Sequence, residues 1–230
     1  MKRRFSSLEE RREFYKKEFS VKKVKSWFRK NKIHLPQICA LDAGTESNIL
    51  LNKKWKNTMF YFPFSELKNQ IKNYVPEDVY YDRNTYKNPK QVLKTLKLNK
   101  WVRQELTFDL DVDNIPKRES FESRLRKIYK KSVELKNELK KRGFRKIAIV
   151  YSGKGFHVHV FDKKAYALDV AEREKLNDKF SDFPIDPWVS KGYIRLIRLP
   201  YSLHGTTSRK CLPVENRFDP KKAVPEFLKN

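Results

Sequence analysis

Apolar positions recur along this chain in two periods, and the switch between them marks its elements. Between Glu105 and Asp111 the alternation is strict: Leu106, Phe108 and Leu110 fall on one side, with Glu105, Thr107, Asp109 and Asp111 on the other. That two-residue period predicts a strand. Further on, Leu125, Ile128, Leu135 and Leu139, with Ser132 between them, repeat every three or four residues up to Gly143. This predicts an amphipathic helix stopped by glycine, its opposite face nearly all Lys, Arg and Glu. Strands are expected at 146–151 and 156–161, joined by Ser152-Gly-Lys-Gly155 as a hairpin. Toward the N-terminus, Ser6 or Ser7 caps a first helix through the following Leu-Glu-Glu, with Phe14, Tyr15 and Phe19 as its core contacts. A second helix follows over 21–31, carrying Val24, Trp27 and Phe28. The rest predicts short strands over 35–52 around a turn at Asp42-Ala-Gly44-Thr45, a helix over 64–74, a tyrosine-rich strand over 79–86 and a strand over 193–199.

No internal repeat, low-complexity linker or Gly/Ser-rich boundary interrupts these elements, so one compact α+β domain over 1–230 is expected, with a core of ordinary size. Charge changes the picture more than length does. The chain carries 53 Lys and Arg against 28 Asp and Glu, a formal net charge of +25. Such an excess calls for a polyanionic partner, and nucleic acid is favoured over a membrane because no one segment monopolises the charge. Only two cysteines occur, Cys39 and Cys211, without metal-ligand spacing, which disfavours a zinc site and a disulfide scaffold. No apolar run is long enough for a membrane span or a signal peptide, so a soluble intracellular protein is expected.

The candidate chemistry starts at Asp109 and Asp111. Carboxylates sharing a strand face at ~4 Å repel by about 4 kcal/mol at an effective dielectric of ~20 unless a cation lies between them. A basic side chain would serve. Mg²⁺ or Mn²⁺ suits carboxylate oxygens better and accompanies phosphate substrates. In the hairpin, Gly153 and Gly155 allow positive φ angles and let the backbone approach a ligand, with Ser152 and Lys154 at the tip. His157 and His159 then share a face. A glycine loop carrying Ser, Lys and His makes a plausible triphosphate cradle; two histidines would also suit zinc, which the lack of a neighbouring cysteine disfavours. Downstream, Asp186 follows Ile185, and Arg195, Arg198 and His204 supply cations and an imidazole suited to polyphosphate.

Three ordered motifs, Glu105-Leu-Thr-Phe-Asp-Leu-Asp111, Tyr151-Ser-Gly-Lys-Gly-Phe-His157 and Val189-Ser-Lys-Gly through Arg198-Leu-Pro-Tyr-Ser-Leu-His204, resemble the catalytic small subunit of archaeal and eukaryotic DNA primases. Phe14-Tyr-Lys-Lys-Glu-Phe19 and the tail from Arg217 to Phe227 extend the resemblance over nearly the whole chain. It implies a primase-type α+β core with a mixed central sheet flanked by helices. It also implies that Asp109, Asp111 and Asp186 hold two divalent ions, Mg²⁺ or Mn²⁺, and that Ser152, Gly153, Lys154, His157, Arg198 and His204 bind the incoming nucleotide. The implied reaction is template-directed joining of nucleoside triphosphates into a primer, with single-stranded DNA template and primer as partners. A primase large subunit, or a fused iron–sulfur domain, is the implied second component. The chain departs from the family in having no cysteine cluster between the first two motifs, so no structural zinc is expected, and in having only a short segment where relatives insert a helical subdomain. Near residue 37 it reads Pro36-Gln-Ile-Cys39 where the family often has Arg-Glu-Phe. The rival readings are a repair or plasmid-replication polymerase of the same superfamily, a non-catalytic nucleic-acid-binding subunit, and a metal-dependent nuclease.

Overall fold

A computed structural model describes residues 4–44, 59–97 and 101–229. In chain order the helices and strands are α1 (Leu8–Lys17), α2 (Val21–Lys30), β1 (Ile38–Asp42), β2 (Met59–Pro63), α3 (Leu67–Tyr74), β3 (Asp78–Asp82), β4 (Asn84–Thr85) and α4 (Pro89–Thr95). There follow β5 (Arg103–Gln104), β6 (Leu106–Asp111), α5 (Phe121–Lys141), β7 (Ile147–Tyr151), β8 (Gly155–Val160), α6 (Lys163–Ala167), α7 (Val170–Asp178) and α8 (Pro187–Ser190). The last are β9 (Leu196–Arg198), β10 (Leu203–His204), β11 (Arg209–Lys210) and β12 (Leu212–Val214). The chain gathers into two compact units. One is built from 103–195 and 212–218, the other from the described parts of 2–102, 196–211 and 219–230.

In the first unit the sheet runs β12-β7-β8-β6. The tight turn at 152–155 folds β8 back on β7, and β6 joins the far edge of β8 with Asp109 opposite His157 and Thr107 opposite His159. Helix α5 links β6 to β7, which run the same way, but β8 lies between them. Every pair in the four-stranded sheets is therefore antiparallel. The mixed central sheet expected from the family resemblance is thus corrected to two four-stranded antiparallel sheets, one in each unit, because the tight turn at 152–155 inserts β8 where a parallel neighbour would pair.

Leu125, Ile128, Ser132, Leu135 and Leu139 form the buried stripe of α5. Its end is a Schellman motif: Gly143 takes φ +81°, Gly143 N–H donates to Lys140 O at 2.9 Å and Phe144 N–H to Leu139 O at 3.1 Å, so the last carbonyls are satisfied. Across the sheet Phe108 meets Phe180 edge-on at 5.5 Å, and Phe218 packs on Tyr151 and Phe156 at 4.7 and 4.9 Å.

The second unit carries the sheet β2-β1-β3-β9. Ser7 caps α1 in a capping box with Glu10, while Ser6 instead donates to the Ser208 hydroxyl at 2.7 Å. Phe14, Val24, Trp27 and Phe28 are buried as expected, and Phe28 meets Tyr81 edge-on at 5.3 Å. Cys39 and Cys211 are both free and buried; burial pushes both thiols up, that of Cys211 to about 12. The strand expected over 79–86 breaks into β3 and β4. The one expected over 193–199 shrinks to β9, because Tyr193 and Ile194 are exposed loop residues. Of the strands expected over 35–52, positions 45–52 lie outside the described residues.

Candidate active site

Strand β6 has its apolar face wholly buried, but its polar face changes character along its length. At one end Glu105, Thr107 and His159 are at most 3% exposed. His159 Nδ1 donates to Glu105 Oε1 at 2.7 Å, and Thr107 Oγ1 donates to the same oxygen at 2.7 Å. Buried polar groups that find partners in this way hold a core together rather than await a ligand. At the other end Asp109 and Asp111 are partly exposed. Asp109 Oδ1 lies 3.7 Å from His157 Nε2, too long for a hydrogen bond, and Asp111 Oδ1 lies 3.5 Å from Lys154 Nζ.

Asp111 is the carboxylate under electrostatic load. Burial raises its pKa above the ordinary value, against a 2.8 Å hydrogen bond from Asp113 N–H and the charge of Lys154. Its neighbour Asp113 is held below the ordinary value by a hydrogen bond from Lys154. For Lys154 burial disfavours the charge, yet Asp113 and Asp111 more than restore it. A single ammonium therefore contacts Asp111 and Asp113, whereas the sequence reading sets a cation between Asp109 and Asp111.

The hairpin is tied by Ser152, whose backbone N–H donates to Gly155 O at 3.0 Å and whose hydroxyl accepts from Gly155 N–H at 3.1 Å. Gly153 takes φ +106° as expected, and Tyr151 Oη donates to its carbonyl at 2.7 Å. Gly155 does not take a positive φ; it is needed for a different reason. A Cβ there would stand 2.1 Å from Leu110 O and 2.9 Å from Asp111 Cα, so only glycine lets the hairpin lie flush against the carboxylate strand.

Asp186 reaches the same strand through its backbone. Ile185 bridges Leu110, and Asp186 N–H donates to Asp109 O at 2.8 Å. The Asp186 carboxylate caps α8, accepting from Trp188 N–H at 2.9 Å. Asp109, Asp111, Asp186, Ser152, Gly153, Lys154 and His157 thus all belong to one unit. Among the described residues no three His, Cys, Asp or Glu side chains form a ready-made metal cluster. The backbones of Asp109 and Asp186 are joined, while their carboxylates serve separate partners.

Arg198 and His204 belong to the other unit. Arg198 donates to Asp78 and, at 3.1 Å, to Leu203 O, and its guanidinium lies over the Tyr80 ring at 5.1 Å from the centroid. His204 Nδ1 accepts from Thr206 N–H at 3.2 Å. Tyr81 and Tyr86 are buried. Sequence reasoning missed Asp78, the acidic partner of Arg198, and the Glu105–His159 pair, since both bonds join residues far apart in the chain. It also missed Asp113, whose place in the run Asp109-Leu-Asp-Val-Asp113 was the available signal.

A set of strand-borne carboxylates beside a basic, glycine-tied turn suits phosphate chemistry. No protein-family profile matches the chain. It is 34% identical, over a 256-residue alignment covering 97% of this chain and 91% of the other, to an uncharacterized DNA primase small subunit-like protein of Archaeoglobus fulgidus. It is 30% identical to the DNA primase small subunit PriS of Pyrococcus furiosus, over 73% of this chain and 47% of that subunit. With PriS of Thermococcus sibiricus the identity is 27%, over 84% and 57%. The chain belongs to the DNA primase small subunit-like family, and it spans about half the length of these PriS relatives. The polymerase domain of Mycobacterium tuberculosis ligase D in complex with DNA aligns with a TM-score of 0.48 at 13% identity, covering 91% of this chain and 81% of that one. Among the described residues, no helix is long and apolar enough to cross a membrane.

Proposed function

We propose that this chain is a nucleotidyltransferase core that joins nucleoside triphosphates into a short primer on a single-stranded DNA template. The observation that carries the reading is the backbone hydrogen bond from Asp186 to Asp109, which ties a third acidic residue by its main chain to a strand end already bearing two. Asp109, Asp111 and Asp186 offer oxygen donors only, the set that suits Mg²⁺ or Mn²⁺. The cation already drawn to Asp111, Lys154, marks where positive charge is wanted. These three residues would hold the ions, which when bound lower the pKa of an attacking hydroxyl and screen the transferring phosphate.

The protein's own groups do the positioning. Gly155 and Ser152 fix the hairpin against β6, so that Lys154 and His157 approach a phosphate from the carboxylate side. Lys154 exchanges Asp113 for phosphate oxygens, and His157 donates to the same group. Lys127, Lys130 and Lys131 of α5 line a cleft of about 530 Å³ that also includes Asn114 and Pro184. That row suits a nucleic-acid backbone, and binding through it weakens steeply with salt. Initiation from free nucleotides would need a second component, a large subunit or a fused iron–sulfur domain, to hold the first nucleotide. Extension of a supplied primer would not.

Nucleotide incorporation on a single-stranded template with Mg²⁺ or Mn²⁺, primed and unprimed, tests the reading. Primed extension is expected, with a loss on the order of 10³-fold or more in Asp109→Ala/Asp111→Ala, the scale on which electrostatic stabilisation of the transition state acts. Efficient unprimed synthesis by the chain alone would remove the need for the second component. Shortening of the DNA without addition would replace the reading with a nuclease.

A further inference from the structure

We infer that Trp188, Tyr193 and Ile194 form a stacking shelf for an unpaired base of a nucleic-acid strand passing the carboxylates. Among the described residues of the carboxylate-bearing unit, these are the exposed large hydrophobic side chains, at 61%, 52% and 44% exposure. They fall within seven consecutive positions. The Trp188 and Tyr193 rings stand 5.3 Å apart at 59°.

The shelf is held rigidly from beneath. Asp186 Oδ1 accepts from Trp188 N–H at 2.9 Å, so the ring belongs to the residue whose backbone amide the candidate metal carboxylate caps. In the same four-residue helix Val189 and Ser190 are buried, and Ser190 donates to Asn177. Gly192, at φ +95°, then reverses the chain. A methyl group there would lie 2.3 Å from Gln104 Oε1, and Gln104 Nε2 donates to Gly192 O at 3.0 Å. The loop closes where Ile194 N–H donates to Trp188 O at 3.1 Å. Tyr193 Oη is fixed by a 3.0 Å bond to Glu174, which also lies 4.0 Å from Lys191 Nζ. Leaving a Trp, a Tyr and an Ile this exposed forgoes part of the stabilisation that burying their apolar surface would give. An ordered surface that forgoes so much is built to be covered.

Its chemistry selects the occupant. Carboxylates lie next door, so a phosphate is repelled there, whereas the uncharged π-face of a base is not. Three side chains are far too few for a stable protein interface, which takes ~800 Å² per partner. The rings are open to solvent rather than walled, which suits a base in a continuing strand better than the base of a single bound nucleotide. Lys191 and Arg195 flank the shelf in sequence, the mixture of aromatic and cation that non-specific single-strand binding uses.

The inference goes beyond the proposed reaction and is read by binding alone. Fluorescence anisotropy with a labelled oligo-dT, across a series of salt concentrations, measures it in the full chain. Stacking contributes ~1–3 kcal/mol per base, so Trp188→Ala is expected to weaken binding by about 5- to 150-fold. The slope of log K against log salt stays unchanged, because no phosphate contact is lost. Trp188→Phe keeps most of the affinity, and Tyr193→Ala gives a smaller loss. Unchanged affinity in Trp188→Ala, a changed salt slope, or a Phe variant as weak as the Ala variant would overturn the shelf. So would weakened binding of a free nucleoside triphosphate with oligo-dT binding intact. The Asp109→Asn variant separates the two readings. If neither wild type nor Asp109→Asn adds nucleotides while Trp188→Ala weakens oligo-dT binding, the proposed reaction fails and the shelf stands; if wild type adds nucleotides, Asp109→Asn does not, and Trp188→Ala leaves oligo-dT binding untouched, the shelf fails and the reaction stands.

Discussion

The two ends of β6 face the same partner strand with side chains of similar chemistry, and they behave in opposite ways. Glu105 Oε1 accepts from His159 Nδ1 and from Thr107 Oγ1, each at 2.7 Å, and all three residues are shut from solvent. Asp109 and Asp111, two and four residues beyond Thr107, keep imidazole and ammonium at 3.7 and 3.5 Å and stay partly open. An acidic side chain beside a histidine is thus sealed into the core at one end and partly open to solvent at the other. The residue types do not decide which. What differs is access: Glu105 is closed in with its donors, whereas Asp109 and Asp111 stay partly open to solvent.

The comparison can be broken by removing one partner at each end. Glu105→Ala leaves the buried His159 Nδ1 and Thr107 Oγ1 without their shared acceptor, and leaving buried donors unpaired costs about 1–3 kcal/mol each, read as a lowered midpoint in urea unfolding. If the loss were under ~1 kcal/mol, the buried end would not be the structural one. Thr107→Val keeps the shape but removes one donor to Glu105, with an expected loss of about 1–2 kcal/mol in the same measurement.

At the open end the sign reverses. Burial raises the Asp111 pKa, so the native chain binds that proton more tightly than the unfolded chain. The group's contribution to stability therefore rises as pH falls through the raised value toward ordinary carboxylate pKa, and it is a cost above that window. Asp111→Asn should stabilise the protein at pH 7 by about 0.5 kcal/mol while abolishing nucleotide addition. Thermal midpoints of wild type and variant should converge as the pH falls through that window; parallel curves would show that Asp111 bears no such load. Asp113 works the other way, since Lys154 lowers its pKa and that stabilisation is lost in acid.

The parts of this arrangement legible in the sequence were those carried by local pattern. The period of α5, its glycine stop and the β7–β8 hairpin followed from residues within a few positions of one another. Helix α7 did not, because its buried residue is Arg173, whose guanidinium bonds the carbonyls of Gln104, Glu105, Leu168 and Ala165. A hydrophobic period cannot register a charged residue turned inward. The apolar run from Tyr193 was read as the start of a strand because sequence does not reveal which apolar side chains the fold leaves outside. Gly155 was legible as a required glycine but for the wrong cause: the constraint is the backbone of Leu110, contributed by another strand. The motif order pointed to the carboxylates, whereas the bond from Asp186 to Asp109 links residues that only folding brings together.

The two thiols have a practical consequence. Cys39 and Cys211 are buried, and both are pushed toward the unreactive protonated form. Maleimide and related electrophiles attack thiolate, so the native chain should be silent toward them while folded. A cysteine introduced at a partly exposed position such as Lys191 would then be a single addressable handle, and a dye placed there could follow a strand arriving at the carboxylates without the wild-type thiols having to be removed.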